Sequence, residues 1–171
     1  MKDRWPNASV ALHWLSAALI VGLAAAGFVM VDLPSGSGGR LLLSRAHTLG
    51  GATLMLLTLA RLVVRRRGAA VAPLPLPNLH RRGVGAIHAL LYVVTFAIGL
   101  SGFVTGATTA WPSYLRGGLS EAPALESLAS REAHEVLVFV LLSLVALHVG
   151  GVMTQQVRRG GIARRMMPFL K

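Results

Sequence analysis

The sequence predicts an all-α membrane protein, a single bundle of four transmembrane helices, and three observations lead there. Of the 171 residues, 54% are hydrophobic and 13% charged, and the mean hydropathy of +0.62 exceeds what a water-soluble domain of this size can expose. The apolar residues gather in four runs, each close to the roughly 20 residues that a helix rising about 1.5 Å per residue needs to cross a bilayer. Seventeen Lys and Arg against six Asp and Glu give a net charge of +11, and most of the basic residues sit between and beyond the runs. A soluble globular fold is excluded. Nucleic acid is not an implied partner either, because such binders carry their basic residues on a polar, foldable surface.

The first run covers residues 9–31. Lys2 and Arg4 ahead of it and Ala24, Ala25 and Ala26 within it imitate a cleavable leader, but a signal h-region is only about 7 to 15 residues long, and this run carries His13 and Trp14 near its start. It is read as a span. The second run, 46–64, is followed by a basic and proline-rich connection in which Pro73, Pro75 and Pro77 stop any continuing helix and favour extended chain. The third run is 84–106. The longest connection, 107–133, contains Trp111, Pro112 and Tyr114, whose rings suit the headgroup level, and a short lid helix is expected there. The fourth run is 134–157. No internal repeat is visible, the loops are too short for a further domain, and residues 1–171 are read as one integral membrane unit.

Orientation follows from the Lys and Arg count, since short loops rich in them stay in the cytoplasm. With both termini inside, thirteen basic residues and Asp3 fall on the inner side, against Arg40, Arg45, Arg116 and Arg131 with five acids outside. The split is +12 inside and −1 outside. Topology and contact with anionic lipids account for nearly all of the inner charge.

The chain has no Cys, which removes disulfides, thiolate zinc, iron–sulfur clusters and covalently attached haem. It does have six His, at 13, 47, 80, 88, 134 and 148, and all but His80 lie in or at the rim of the runs. Ionisable side chains inside a membrane are costly and face the bundle interior or a cavity, so they are functional candidates. His134 and His148 are 14 residues apart. At roughly 100° and 1.5 Å per residue they return to within about 40° of one face, about 21 Å apart along the axis. That presents two imidazoles near opposite sides of the hydrocarbon core, as two stacked haems would require. A haem iron with two axial imidazoles takes donors from facing helices at equal depth. His47, opening the second run, is level with His134 at the outer side, and His13 is level with His148 at the inner side. His88 is the spare at the inner level. It could replace His13 as a ligand, although a hydrogen bond to a propionate or a quinone is the favoured role. His80, beside Arg81 and Arg82, reads as solvated. Arg61 falls inside the second run, where it either snorkels to the headgroups or meets a haem propionate. Glu135 beside His134 could orient a ligand or relay a proton. Glycines near these His (22, 27, 50, 51, 150 and 151) leave room for a porphyrin but equally for close helix packing.

End to end, the pattern resembles the bacterial cytochrome b561 family of small four-helix, two-haem inner-membrane proteins, in particular the single-chain members that act as superoxide oxidases. The resemblance rests on His13-Trp14, His47, Arg61 with the basic residues after it, the proline-rich linker, the His88-Ala-Leu-Leu-Tyr92 stretch, Trp111-Pro112, His134, His148 and Arg165-Met166-Met167-Pro168. It implies two haem b, with His13 and His148 on the inner iron and His47 and His134 on the outer. By that resemblance superoxide is oxidised at the outer face and ubiquinone reduced further in. Arg40, Arg45 and Arg116 could form a local positive funnel for an anion, and Trp14, His88 and Arg81 are inner-face candidates for the quinone.

Two other readings compete. A cytochrome b subunit relaying electrons from a periplasmic dehydrogenase or hydrogenase to the quinone pool shares every haem argument, and brings a periplasmic redox protein or a second copy of the chain as partner. A metal transporter built on His47, His134 and Glu132 or Glu135 outside and His13, His88 and His148 inside would use imidazole and carboxylate for zinc. It would ordinarily need more than four helices.

Overall fold

The computed structural model describes residues 5–67 and 76–167. Four helices are long and apolar enough to cross a membrane: α1 (Asn7–Asp32), α2 (Gly38–Arg67), α3 (Asn78–Ala107) and α5 (Ala129–Arg159). A five-residue helix, α4 (Trp111–Leu115), lies in the long connection, where a lid was expected, and a 3-10 turn, Ala163–Arg165, follows α5. Each long helix overruns its predicted span at both ends, by one to eight residues. Many of the added residues are polar or basic, such as Arg65, Arg66 and Arg67 in the last turn of α2. There cations meet the partial negative charge of the helix C-terminus, which carries the helix beyond the apolar stretch. Pro77 immediately precedes α3, so His80, Arg81 and Arg82 begin that helix as exposed residues rather than lying in a loop. Pro73 and the proposed extended linker around it fall outside the described residues.

The helices pack as two antiparallel hairpins, α1 with α2 and α3 with α5, and the hairpins meet less extensively. The first turn-around is held by side chains. Ser37 Oγ accepts the Arg40 backbone N–H at 3.2 Å, the capping bond that opens α2. Arg40 in turn donates from Nη1 to the carbonyls of Met30 and Leu33 at the end of α1, groups that would otherwise be orphaned. At the far end of α5, Gly160 adopts φ 69° and closes the helix by donating to Gln156 O at 2.9 Å, a conformation glycine takes at no steric cost.

The buried apolar centre comprises Val94, Leu141 and Leu144, with Ile20, Leu91, Ile98, Leu137 and Val145 against it. Most other apolar side chains face outward, as they must where lipid is the solvent. The cap at the end expected to face outward is the most firmly tied non-helical part. Tyr114 is 1% exposed, Trp111 Nε1 donates to Thr48 Oγ1 at 3.2 Å, Arg45 Nε donates to Leu115 O at 2.7 Å, and Ala122 N donates to Ser35 O at 3.1 Å.

Because the Tyr114 hydroxyl reaches Ser35 O only at 3.5 Å, its ring rather than its oxygen anchors the cap. Tyr114→Ala should lower the thermal unfolding midpoint in detergent, with a loss of about 3–5 kcal/mol typical of a buried aromatic, whereas Tyr114→Phe should unfold close to the parent.

Candidate functional site

The five intramembrane histidines collect at two levels. At the outer level the rings of His47 and His134, from α2 and α5, have centroids 6.1 Å apart. At the inner level His13 of α1 and His148 of α5 are 6.3 Å apart. Two imidazoles each giving one nitrogen to a shared metal at about 2 Å would have ring centres about 6 Å apart, a separation both pairs match. His88 stands closer to His148, at 5.1 Å.

The levels are built on a spacing shared by all four long helices. His134 and His148 are 14 residues apart, and so are His47 and Arg61 on α2, His13 and Gly27 on α1, and His88 and Gly102 on α3. The helices alternate in direction, so the outer level is Gly27, His47, Gly102 and His134, and the inner level is His13, Arg61, His88 and His148. The two outer glycines let imidazoles in. A Cβ on Gly27 would lie 3.3 Å from His47 Cε1, and one on Gly102 would lie 3.2 Å from His134 Cε1. Gly22, Gly51, Gly150 and Gly151 have nothing within 4 Å of such a Cβ, and Gly50 serves packing instead, against Leu23.

Hydrogen bonds set the two levels apart. His134 Nδ1 lies 3.0 Å from Ile98 O and 3.1 Å from Ser101 Oγ. A carbonyl only accepts, so Nδ1 carries the proton and the Nε2 lone pair is left for a metal. His47 has the Leu23 backbone as its hydrogen-bonding neighbour. At the inner level Arg61 Nη2 lies 3.1 Å from His13 Nδ1. Guanidinium only donates, so this nitrogen accepts and the neutral ring holds its proton on Nε2. The Arg61 guanidinium also sits 5.5 Å from the centre of the Tyr92 ring, which makes it a bundle-facing residue rather than a snorkelling one. Trp14 stands edge-on to His13 at 5.4 Å, and its Nε1 donates to Met166 O at 2.7 Å, bringing the C-terminal segment over the inner end of α1.

Other candidates lie elsewhere. Arg81 is exposed and donates to Asn78 Oδ1 at 2.7 Å, apart from the inner cluster. Glu135 is exposed and ion-paired with Arg131 one turn earlier. Arg40 and Arg45 spend hydrogen bonds on backbone carbonyls, and Arg116 is exposed at the end of α4. Among the described residues no three or more His, Asp or Glu side chains group so as to hold a metal ion by themselves. Ser101, Gly102 and the Arg61–Tyr92 contact were not singled out from the sequence. The 14-residue spacing was the signal that would have found Gly102.

The family model described as prokaryotic cytochrome b561 matches residues 4–169. This chain belongs to that family. Among curated proteins, the cytochrome b561 homolog 2 of Escherichia coli (strain K12) is 32% identical over 111 residues, covering 64% of this chain. The chain spans 59% of the length of that relative. No solved structure matches the chain. The family is one of membrane electron-transfer proteins with b-type haem, and the four candidate spans suit a multi-pass member of it. The paired imidazoles and the proton-fixed Nδ1 of His134 suit such a haem.

Adding a methyl group at Gly102 would press on His134. Gly102→Ala should reduce the haem recovered per chain, in line with an overpacking cost of about 1–3 kcal/mol, while Gly22→Ala, with open space around it, should retain the parent's haem content in a pyridine haemochromogen assay.

Proposed function

We propose that this cytochrome b561 holds two haem b, the outer through His47 and His134 and the inner through His13 and His148, and acts as a superoxide:ubiquinone oxidoreductase of the bacterial inner membrane with both termini in the cytoplasm. The observation that carries this is the pair of imidazole separations, 6.1 and 6.3 Å, at two levels about 21 Å apart along α5. The haems, when bound, supply one-electron redox chemistry between the two faces. Two superoxide anions would each lose one electron to become oxygen, and one ubiquinone would take up both electrons with two protons.

The chain's own part is positioning. Ile98 and Ser101 orient His134, and the outer glycines admit the rings. Arg45 and Arg116 leave positive charge at an outer rim that is otherwise weakly acidic, which favours approach of an anion. At the inner level, ligation through His13 Nε2 calls for Arg61 to release Nδ1, and a haem propionate is the anionic acceptor that would take the guanidinium. Trp14 and His88, beside the inner pair, are the nearest candidates to contact a quinone. Membrane lipid covers the remaining apolar faces.

Replacing His148 by Ala should remove one haem per chain and leave the other, as read by reduced-minus-oxidised spectra, and should abolish quinone reduction by superoxide. If the purified parent consumes superoxide no faster than spontaneous dismutation yet still passes electrons to quinone after chemical reduction, the chain is instead a relay for a periplasmic redox protein.

A further inference from the structure

The chain leaves α5 through Gly160 and Gly161, both at φ 69°, a left-handed conformation that glycine adopts without steric cost. Two such residues in a row end the helix and redirect the backbone, which passes through the 3-10 turn Ala163–Arg165 to the inner end of α1. Two bonds hold it there. Trp5 N donates to Arg165 O at 3.4 Å, and Trp14 Nε1 donates to Met166 O at 2.7 Å. Residues 165–167 are half-buried, so the segment is seated on the bundle. Trp14 itself is 45% exposed. Packing holds so open an indole weakly, and its second side-chain torsion has a broad well, so the bond to a carbonyl 152 residues away decides where the ring stands.

That place is edge-on to His13, with ring centroids 5.4 Å apart and planes at 80°. His13 in turn faces His148 at 6.3 Å with an interplanar angle of 61°. At the outer level Ile98 O and Ser101 Oγ set the orientation of His134. At the inner level the Arg61 contact to His13 Nδ1 would be given up on ligation, which leaves the indole edge to keep the imidazole in its plane. We propose that Trp14 is a positioning residue for His13 and that the segment after α5 is the strap that holds it: Met166 O fixes the indole, and the indole edge fixes the rotation of the His13 ring. This rests on His13 and His148 holding the inner haem. It also gives the end of the chain a part in the site, since a backbone carbonyl beyond α5 orients a side chain of α1.

Two readouts on the purified full chain test this. The angle between two axial imidazole planes governs the largest g value of a low-spin ferric haem, so electron paramagnetic resonance of the ferric protein, without added quinone, reads how His13 stands. The inner signal is the one missing from His148→Ala, and the outer signal is the internal standard. Trypsin reads the strap alone, with or without haem, through cleavage after Arg164 and Arg165; where opening precedes the cut, the rate follows the open population. Trp14→Phe keeps an aromatic edge and loses the N–H. It should speed that cleavage about two- to tenfold, the range for one hydrogen bond, and shift the inner g value while the outer stays. Replacing Gly160 and Gly161 together by Ala strains the turn without touching Trp14, and should do the same. Unchanged cleavage in Trp14→Phe overturns the strap. Faster cleavage with an unmoved inner signal in either variant overturns the positioning role, and so does movement of both signals, since the bundle as a whole has then changed. An unsubstituted chain without an inner signal defeats the inner-haem reading, and the positioning role with it.

Discussion

An imidazole taken into a bundle that lipid surrounds has no water to satisfy its two nitrogens, so each one must find a partner within the protein or on a ligand. This constraint organises the molecule. Four helices of alternating direction each place one polar-level residue near the outer side and one near the inner side, always 14 residues apart. Fourteen residues are close to four full helical turns, so both levels open on the same face of every helix. Shifting one helix by a single residue would rotate its contribution by about 100° and lower it by about 1.5 Å. The register of the whole bundle is therefore tied to the histidine pairs.

The layer between the levels is defined by the same arithmetic. Seven residues from both members of each pair stand Ile20, Leu54, Thr95 and Leu141. Leu54, Thr95 and Leu141 are buried, Ile20 packs against the central cluster, and the Thr95 hydroxyl is spent on Leu91 O. An apolar plate thus separates two polar levels. Such a layer offers little to solvate an ion between the two levels. The two hairpins contribute to this plate from both sides, and they meet through α2 and α3.

Much of this was legible in the sequence because the signals were of long range and high contrast. Twenty-residue apolar runs fix helices with little dependence on context, and histidines within them stand out against that background. The depth match of His47 with His134 needed only helix directions and the rise per residue. What could not be read was set by side-chain direction. What sets His88 apart from the other pairs is a ring separation from His148 of 5.1 Å, about an ångström short of theirs, which no spacing rule reports. Arg61 falls in an apolar run whether it snorkels or faces Tyr92. Arg40 and Arg45 looked like free charges in an outer loop, yet both lie in α2 and bond to carbonyls at the turn and the cap, because helix ends and short loops leave acceptors that nearby donors satisfy.

The two ends of the bundle are consequently unlike each other. At the outer end, protein donors close the structure: Trp111 on Thr48, Arg45 on Leu115, Ala122 on Ser35, with Tyr114 sealed beneath. Glycines occupy the two positions beside the imidazoles, and the orientation of His134 is already fixed by Ile98 O. At the inner end the corresponding positions are His13, Arg61 and His88. Three titratable rings and a guanidinium share a space that holds two rings and two glycines at the other level. A site so crowded with donors is built to exchange partners, because Arg61 has two neighbours, His13 and Tyr92, and the rings of His13 and His88 both approach His148. Fixed bonds between protein groups close one end, while at the other end polar groups have more than one neighbour to bond.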